Sequence, residues 1–203
     1  TKLLGTSNFI INPDFTSKVN LTNHIHAAYV QYAAKLERFS YSAGMRVEES
    51  ERNLLFSLNN EKTKLPLTNF FPSVQLRYEA WDRAVLKAGY SRRIKRTNNY
   101  ELNPFPEREH SETLEQGDPQ LLPELIGTYE AGVEQSFAKG SFYFTLYHQQ
   151  ITNPIQRVNK VFNDTILNRV YTNAGRALQT GVETNFTMQV TDLWQTIVGG
   201  NVY

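Results

Sequence analysis

The chain has 203 residues, with 21 Lys and Arg against 20 Asp and Glu, and a formal net charge of +1. That balance offers no general electrostatic attraction for nucleic acid or an anionic membrane surface. The lack of cysteine excludes disulfides and thiolate metal sites. The longest unbroken apolar run, Ala27 to Val30, is far short of the ~20 residues that a membrane-spanning helix needs. The chain opens at Thr1 with no Met and no apolar signal segment, and is expected to be a piece of something longer.

Taken in order, the chain reads as strands with a period of two. Thr22 to Ala34 is extended by its Tyr, Val and Ile content. Tyr41, Ala43, Met45 and Val47 then oppose Ser42, Gly44, Arg46 and Glu48. Val74, Leu76 and Tyr78 oppose Gln75, Arg77 and Glu79, and Leu86, Ala88 and Tyr90 oppose Lys87, Gly89 and Ser91. Tyr129, Ala131 and Val133 oppose Glu130, Gly132 and Glu134; Phe142, Phe144 and Leu146 oppose Tyr143, Thr145 and Tyr147. Val182, Phe186 and Met188 oppose Gly181, Glu183, Asn185 and Thr187, and Gln195 to Tyr203 closes the series. The pattern predicts an all-β, antiparallel up-and-down meander of about eight strands, with residues 22–203 as sheet and residues 1–21 as the end of a loop.

The connections alternate in length. Short joins fall at Lys35 to Arg38, Trp81 to Arg83, Phe137 to Gly140 and Thr191 to Trp194; long ones fall at Ser50 to Pro66, Thr97 to Pro123 and Asn153 to Tyr171. The long ones collect Pro66, Pro104, Pro106, Pro119, Pro123 and Pro154, which cannot donate to a sheet ladder. Short turns at one end, long loops at the other and strands longer than the ~5–6 residues of soluble sheets match a transmembrane β-barrel. In hydrocarbon every backbone polar group must be paired within the protein, so a spanning sheet has to close. A soluble barrel or sandwich acting as a binding module shows the same alternation with its apolar face inward. Strand length and loop asymmetry favour the membrane alternative. Tyr41, Tyr78, Tyr90, Tyr129, Phe142 and Phe186 lie on the apolar faces, with Trp81 and Trp194 at short turns, as interfacial girdles require.

Several strings resemble a known family. They are Ser91-Arg92-Arg93-Ile94-Lys95-Arg96, Leu102-Asn103-Pro104-Phe105 and Gly117-Asp118-Pro119-Gln120-Leu121-Leu122-Pro123-Glu124. Downstream come Asn173-Ala174-Gly175 and Gly181-Val182-Glu183; upstream come His26-Ala27-Ala28-Tyr29-Val30 and Ala43-Gly44-Met45-Arg46-Val47-Glu48. From about His24 to Tyr203 the chain resembles the barrel of TonB-dependent outer-membrane receptors of Gram-negative bacteria, in the version of the Bacteroidetes outer-membrane barrel family. The resemblance implies a barrel of about 22 strands around an N-terminal plug, taking up a scarce ligand with energy relayed by TonB. A small-molecule, peptide or glycan ligand fits that class. A passive porin would have the barrel without the plug. The tail has Tyr203 but lacks apolar residues at Asn201 and Gly199, so the segment is expected to be internal to the barrel, without plug or final strands. Isolated in water, such an arc is expected to aggregate.

The candidate site residues are the long charged side chains on the polar faces: Arg46, Arg77, Glu79, Lys87, Glu130, Glu134 and Glu183. They are expected to face the lumen and contact the plug. His24 and His26, at i and i+2, have a spacing that holds a metal if a third ligand arrives; two polar residues near a barrel mouth is the plainer account. His110 among Glu107, Glu109 and Glu112 reads as a solvated acidic loop. Glu48, Glu49 and Glu51 beside Arg46 and Arg52 read as charge compensation at a rim. Arg92, Arg93, Lys95 and Arg96 split between two faces of one strand, which suits lipopolysaccharide phosphates or lumen carboxylates. No nucleophile, zincin or phosphate-loop motif is present. No enzyme, metal, cofactor or nucleic-acid partner is expected.

Overall fold

Alternation over this many residues forms a sheet when each strand finds a neighbour in register, and here the registers link eight strands, with shifts only beside two short turns, at Glu79/Trp81 and Gln189/Thr191. The structure, a computed structural model, describes residues 18–56, 60–110, 113–163 and 166–203. Among them lie β1 (Val19–Leu36), β2 (Phe39–Phe56), β3 (Lys62–Trp81), β4 (Ala84–Lys95), the short helix α1 (Asn99–Leu102), β5 (Glu107–His110) and β6 (Thr113–Gln116). They continue with β7 (Glu124–Phe137), β8 (Gly140–Thr152), β9 (Ile155–Asn163), β10 (Ile166–Asn173), β11 (Arg176–Thr191) and β12 (Trp194–Val202). The large sheet has the order β1-β2-β3-β4-β7-β8-β11-β12, every pair antiparallel. This is the expected eight-strand meander, with β1 and β12 as its edges.

All four short joins are where expected. Glu37 and Arg83 take left-handed backbone conformations there, with φ of 48° and 55°. Neighbouring turns are tied by backbone bonds from Glu79 N to Arg38 O, 2.8 Å, and from Ser136 N to Arg83 O, 2.9 Å.

The long joins differ from expectation in two ways. The join expected over Ser50 to Pro66 is mostly strand, because β2 runs on to Phe56 and β3 starts at Lys62. Pro66 therefore lies inside β3. It is tolerated because β3 pairs with β4 only from Ser73 onward, which leaves Lys62 to Pro72 an edge on that side. The joins after β4 and β8 are folded instead of open: they contribute a second sheet, β5-β6-β10-β9, in which β6 and β10 pair in parallel. The sequence reading missed these four strands. β1 also begins at Val19, three residues before the expected Thr22, while residues 1–17 of the expected loop end lie outside the described residues.

The registers put the expected apolar positions on one face. Ala34, Tyr41, Leu76, Ala88, Ala131, Leu146, Val182 and Val202 form a row in which each pairs with the next across all eight strands. The adjacent row starts Tyr32, Ala43, Val74, Tyr90, Tyr129, and Tyr90 and Tyr129 place their rings 4.7 Å apart. Among the described residues nothing folds over these two rows: Tyr32 is 63% exposed, Leu76 39%, Leu146 48% and Val202 70%. The buried apolar cluster, Leu54, Phe56, Leu102 and Leu121, lies on the other, polar face, where the second sheet and α1 fold over β1 and β2. A soluble sheet is organised the opposite way.

Candidate functional site: the charged face and its cap

The seven expected site residues share the face opposite that apolar row. Arg77, Lys87, Gly132, Thr145 and Glu183 form one row across β3, β4, β7, β8 and β11. Glu130 pairs with Gly89 and Tyr147 in the next row, and Glu79 and Glu134 flank Val85 in another. Arg46 lies further from the short turns, between Tyr29 and Phe71. Opposite charges meet there in exposed pairs: Lys35 with Glu79 at 3.1 Å, and Lys87 with Glu134. Such pairs stabilise by at most about 1 kcal/mol each. Their effect is to fix the positions of side chains on a wet surface. Small residues keep that surface open. A Cβ at Gly132 would stand 2.5 Å from the Phe144 carbonyl oxygen and 2.6 Å from Thr145 Oγ1.

Nearer the long joins the polar face is buried. Glu48 is 2% exposed and accepts hydrogen bonds from Arg46, at 2.9 Å, and from Arg96. Arg52 is 8% exposed and reaches the join after β4, donating to Thr97 Oγ1 at 2.7 Å, the Pro119 carbonyl at 2.9 Å and the Leu121 carbonyl at 2.7 Å. The expected mutual compensation of Glu48, Glu49, Glu51, Arg46 and Arg52 at an open rim is therefore only partly realised. Glu48 takes Arg46 and Arg96, Glu51 takes Lys64 at 2.6 Å, and Arg52 bonds neutral acceptors. The missed signal was the join itself, since the carbonyls of Pro119 and Leu121 become acceptors only once that segment folds back.

The cap over this region is built by local rules. Asn98 and Glu101 form a reciprocal capping box around α1, each side chain bonding the other's backbone N–H, at 3.0 and 2.8 Å. Gly117 is required, because a Cβ there would stand 2.5 Å from the Glu101 carbonyl oxygen. Asn173 ties the two long joins together: it accepts from Leu122 N at 2.8 Å and donates to the Leu122 and Asn153 carbonyls at 3.0 and 2.9 Å. Glu124 accepts from Lys95 at 3.2 Å and from Ile155 N at 2.8 Å. Tyr171 donates to Glu115 Oε1 at 2.6 Å; burial first, and then that carboxylate, push its hydroxyl up to about 12.

The remaining candidates are dispersed. His24 pairs in register with Glu51 and His26 with Glu49, but among the described residues no three His, Cys, Asp or Glu are placed to hold a metal ion. Glu112 and the side chains of Glu109 and His110 lie outside the described residues. Of Arg92, Arg93, Lys95 and Arg96, two pair with carboxylates of the polar face: Lys95 goes to Glu124 and Arg96 to Glu48.

A model of the outer membrane protein beta-barrel family matches residues 2–203. Among solved structures, the siderophore receptor PirA from Pseudomonas aeruginosa is 18% identical with a TM-score of 0.64; the match covers 92% of this chain and 43% of that one. The copper transporter OprC is 16% identical with a TM-score of 0.70, over 89% of this chain and 29% of that one. The Serratia marcescens hemophore receptor HasR, solved with its hemophore HasA and heme, is 11% identical with a TM-score of 0.68, over 83% and 32%. The chain thus spans less than half the length of each of these receptors and transporters. No curated protein sequence matches it significantly.

Proposed function

We propose, from the premise that the chain belongs to the outer membrane protein beta-barrel family, that it is barrel wall of an outer-membrane receptor driving TonB-dependent uptake of a scarce ligand. The observation that carries this reading is the uncovered apolar face running in register across all eight strands, on the side away from the only buried cluster among the described residues. Lipid covers such a face, and the opposite one then borders the lumen. On this reading Arg46, Arg77, Glu79, Lys87, Glu130, Glu134 and Glu183 face inward. Those near the short turns contact a plug domain of the same protein, through which TonB acts. The wall holds the plug and has no catalytic role. Extracellular segments, including the cap, capture the ligand. Siderophore, heme and copper, named for the structural neighbours, are the first ligand classes to try, followed by cobalamin, peptides and glycans.

The test is genetic. A strain lacking the full-length gene is grown with each scarce nutrient in turn. The expected result is loss of growth on one nutrient, restored by the gene and lost again when TonB is removed. Uptake that persists without TonB would make the protein a passive pore and overturn the proposal. Spin labels on the full-length protein at Arg77 or Glu130 are expected to report a polar, plug-shielded setting, and labels at Leu76 or Leu86 to report lipid.

A further inference from the structure

The charged cluster beneath the cap is not balanced. Three guanidinium groups, Arg46, Arg52 and Arg96, stand against one bonded carboxylate, Glu48. Arg46 and Arg96 share that carboxylate and remain roughly half exposed, with side chains 46% and 41% accessible. Arg52 has neither advantage. It is more than nine-tenths buried, its three bonded acceptors are a hydroxyl and two carbonyls, and its Nε is buried with no partner. Asp118 acts on it through space, but its Oδ1 accepts from Gln120 N at 2.8 Å. A buried cation that bonds only neutral groups is costly, and a buried N–H without an acceptor adds about 1–3 kcal/mol.

A small cavity of about 30 Å³ opens beside this guanidinium. Its polar lining is Asn23, Ser50, Arg52, Arg96 and Thr97; the rest is apolar, and no carboxylate among the described residues lines it. The polar residues are donors or can turn to donate: two guanidiniums, an amide and two hydroxyls. The Thr97 hydroxyl oxygen already accepts from Arg52, which frees its proton to point into the cavity. Such a lining selects an acceptor with negative charge. The volume exceeds the ~10–15 Å³ of such space that one water needs, so a single-atom anion fits. A water would satisfy a donor but add no negative charge to that of Asp118, which acts on Arg52 only through space.

We propose that this cavity is a halide site, occupied by chloride, which compensates Arg52 and links β1 and β2 to the join after β4. The anion would serve as a removable pin for the cap, holding Thr97 and the Pro119–Leu121 backbone against the wall. The site rests on residues of this chain alone and stands whether or not transport depends on TonB.

Bromide tests it, as a heavier halide that anomalous diffraction locates. Crystals of the full-length protein in detergent, soaked in bromide, are expected to show an anomalous peak among Asn23, Arg52 and Thr97, weakened by competing chloride. The peak is expected to vanish in Arg52→Met. If that variant does not fold, Thr97→Val is expected to lower the occupancy while leaving the wall intact. Protease cutting within residues 97–123 should also be slower in chloride than in isethionate at equal ionic strength. A bound water with no bromide peak, a peak that appears only at molar bromide, or a peak unchanged in both variants would overturn the site.

Discussion

The orientation of the sheet rests on its uncovered apolar face, and a depth series of arginines on β3 tests it. Leu76 lies five residues from Trp81, the last residue of β3. At a rise of ~3.3 Å per residue and a tilt of ~40°, this places Leu76 about 13 Å from the turn-side interface, half of the ~25 Å apolar band. Leu76 is thus at the midplane if that face meets lipid. Leu76→Arg should destabilise the folded full-length protein by about 2–4 kcal/mol, and Trp81→Arg by about 0–1 kcal/mol. Tyr78→Arg, between them, should fall between these values. On the other face Gln75→Arg, one residue from the worst position, should cost within ~0.5 kcal/mol, since that side is wet. The measurement is denaturant-dependent folding into lipid vesicles, read from Trp fluorescence and the heat-modifiable gel shift. A flat series, or a larger penalty at Gln75 than at Leu76, would refute both the orientation and the argument from register.

Two further outcomes concern the cap. Tyr171 has a folded value of about 12 against an ordinary value near 10, so the neutral phenol is favoured by folding. Its contribution is fully present below pH ~10 and is lost as pH rises toward ~12. Phenolate absorbance at 295 nm should show one late-titrating group in the wild type that is missing from Tyr171→Phe; a wild-type titration no later than the variant's would contradict the Tyr171–Glu115 bond. Asn173→Ala removes two hydrogen bonds between the two long joins and a third, to Asn153, within the later one, and should weaken their association by about 1–3 kcal/mol. Limited proteolysis of residues 97–123 should then quicken at least fivefold, with Asn173→Asp in between because it keeps the acceptor; an unchanged rate would mean the joins hold without this side chain.

Residue alternation alone determined the meander, its four short turns and the face to which each of Arg46, Arg77, Glu79, Lys87, Glu130, Glu134 and Glu183 belongs. A two-residue period assigns every side chain of a strand to one side once any one is assigned. The registers then extended this across strands, turning separate alternations into the unbroken row from Ala34 to Val202. What alternation does not carry is which face is covered. That is a property of what folds over the sheet, and the cap decided it by burying Leu54 and Phe56 on the polar side. The cap was illegible for the same reason. Its strands are short, two of them only four residues, and β6 meets β10 across more than fifty residues of chain. The environment of Arg52 is likewise tertiary: beside Glu51 in sequence it looks paired, but on the strand the two point to opposite faces. Its partners are backbone carbonyls 67 and 69 residues away, which are brought to it by a fold that no local pattern encodes.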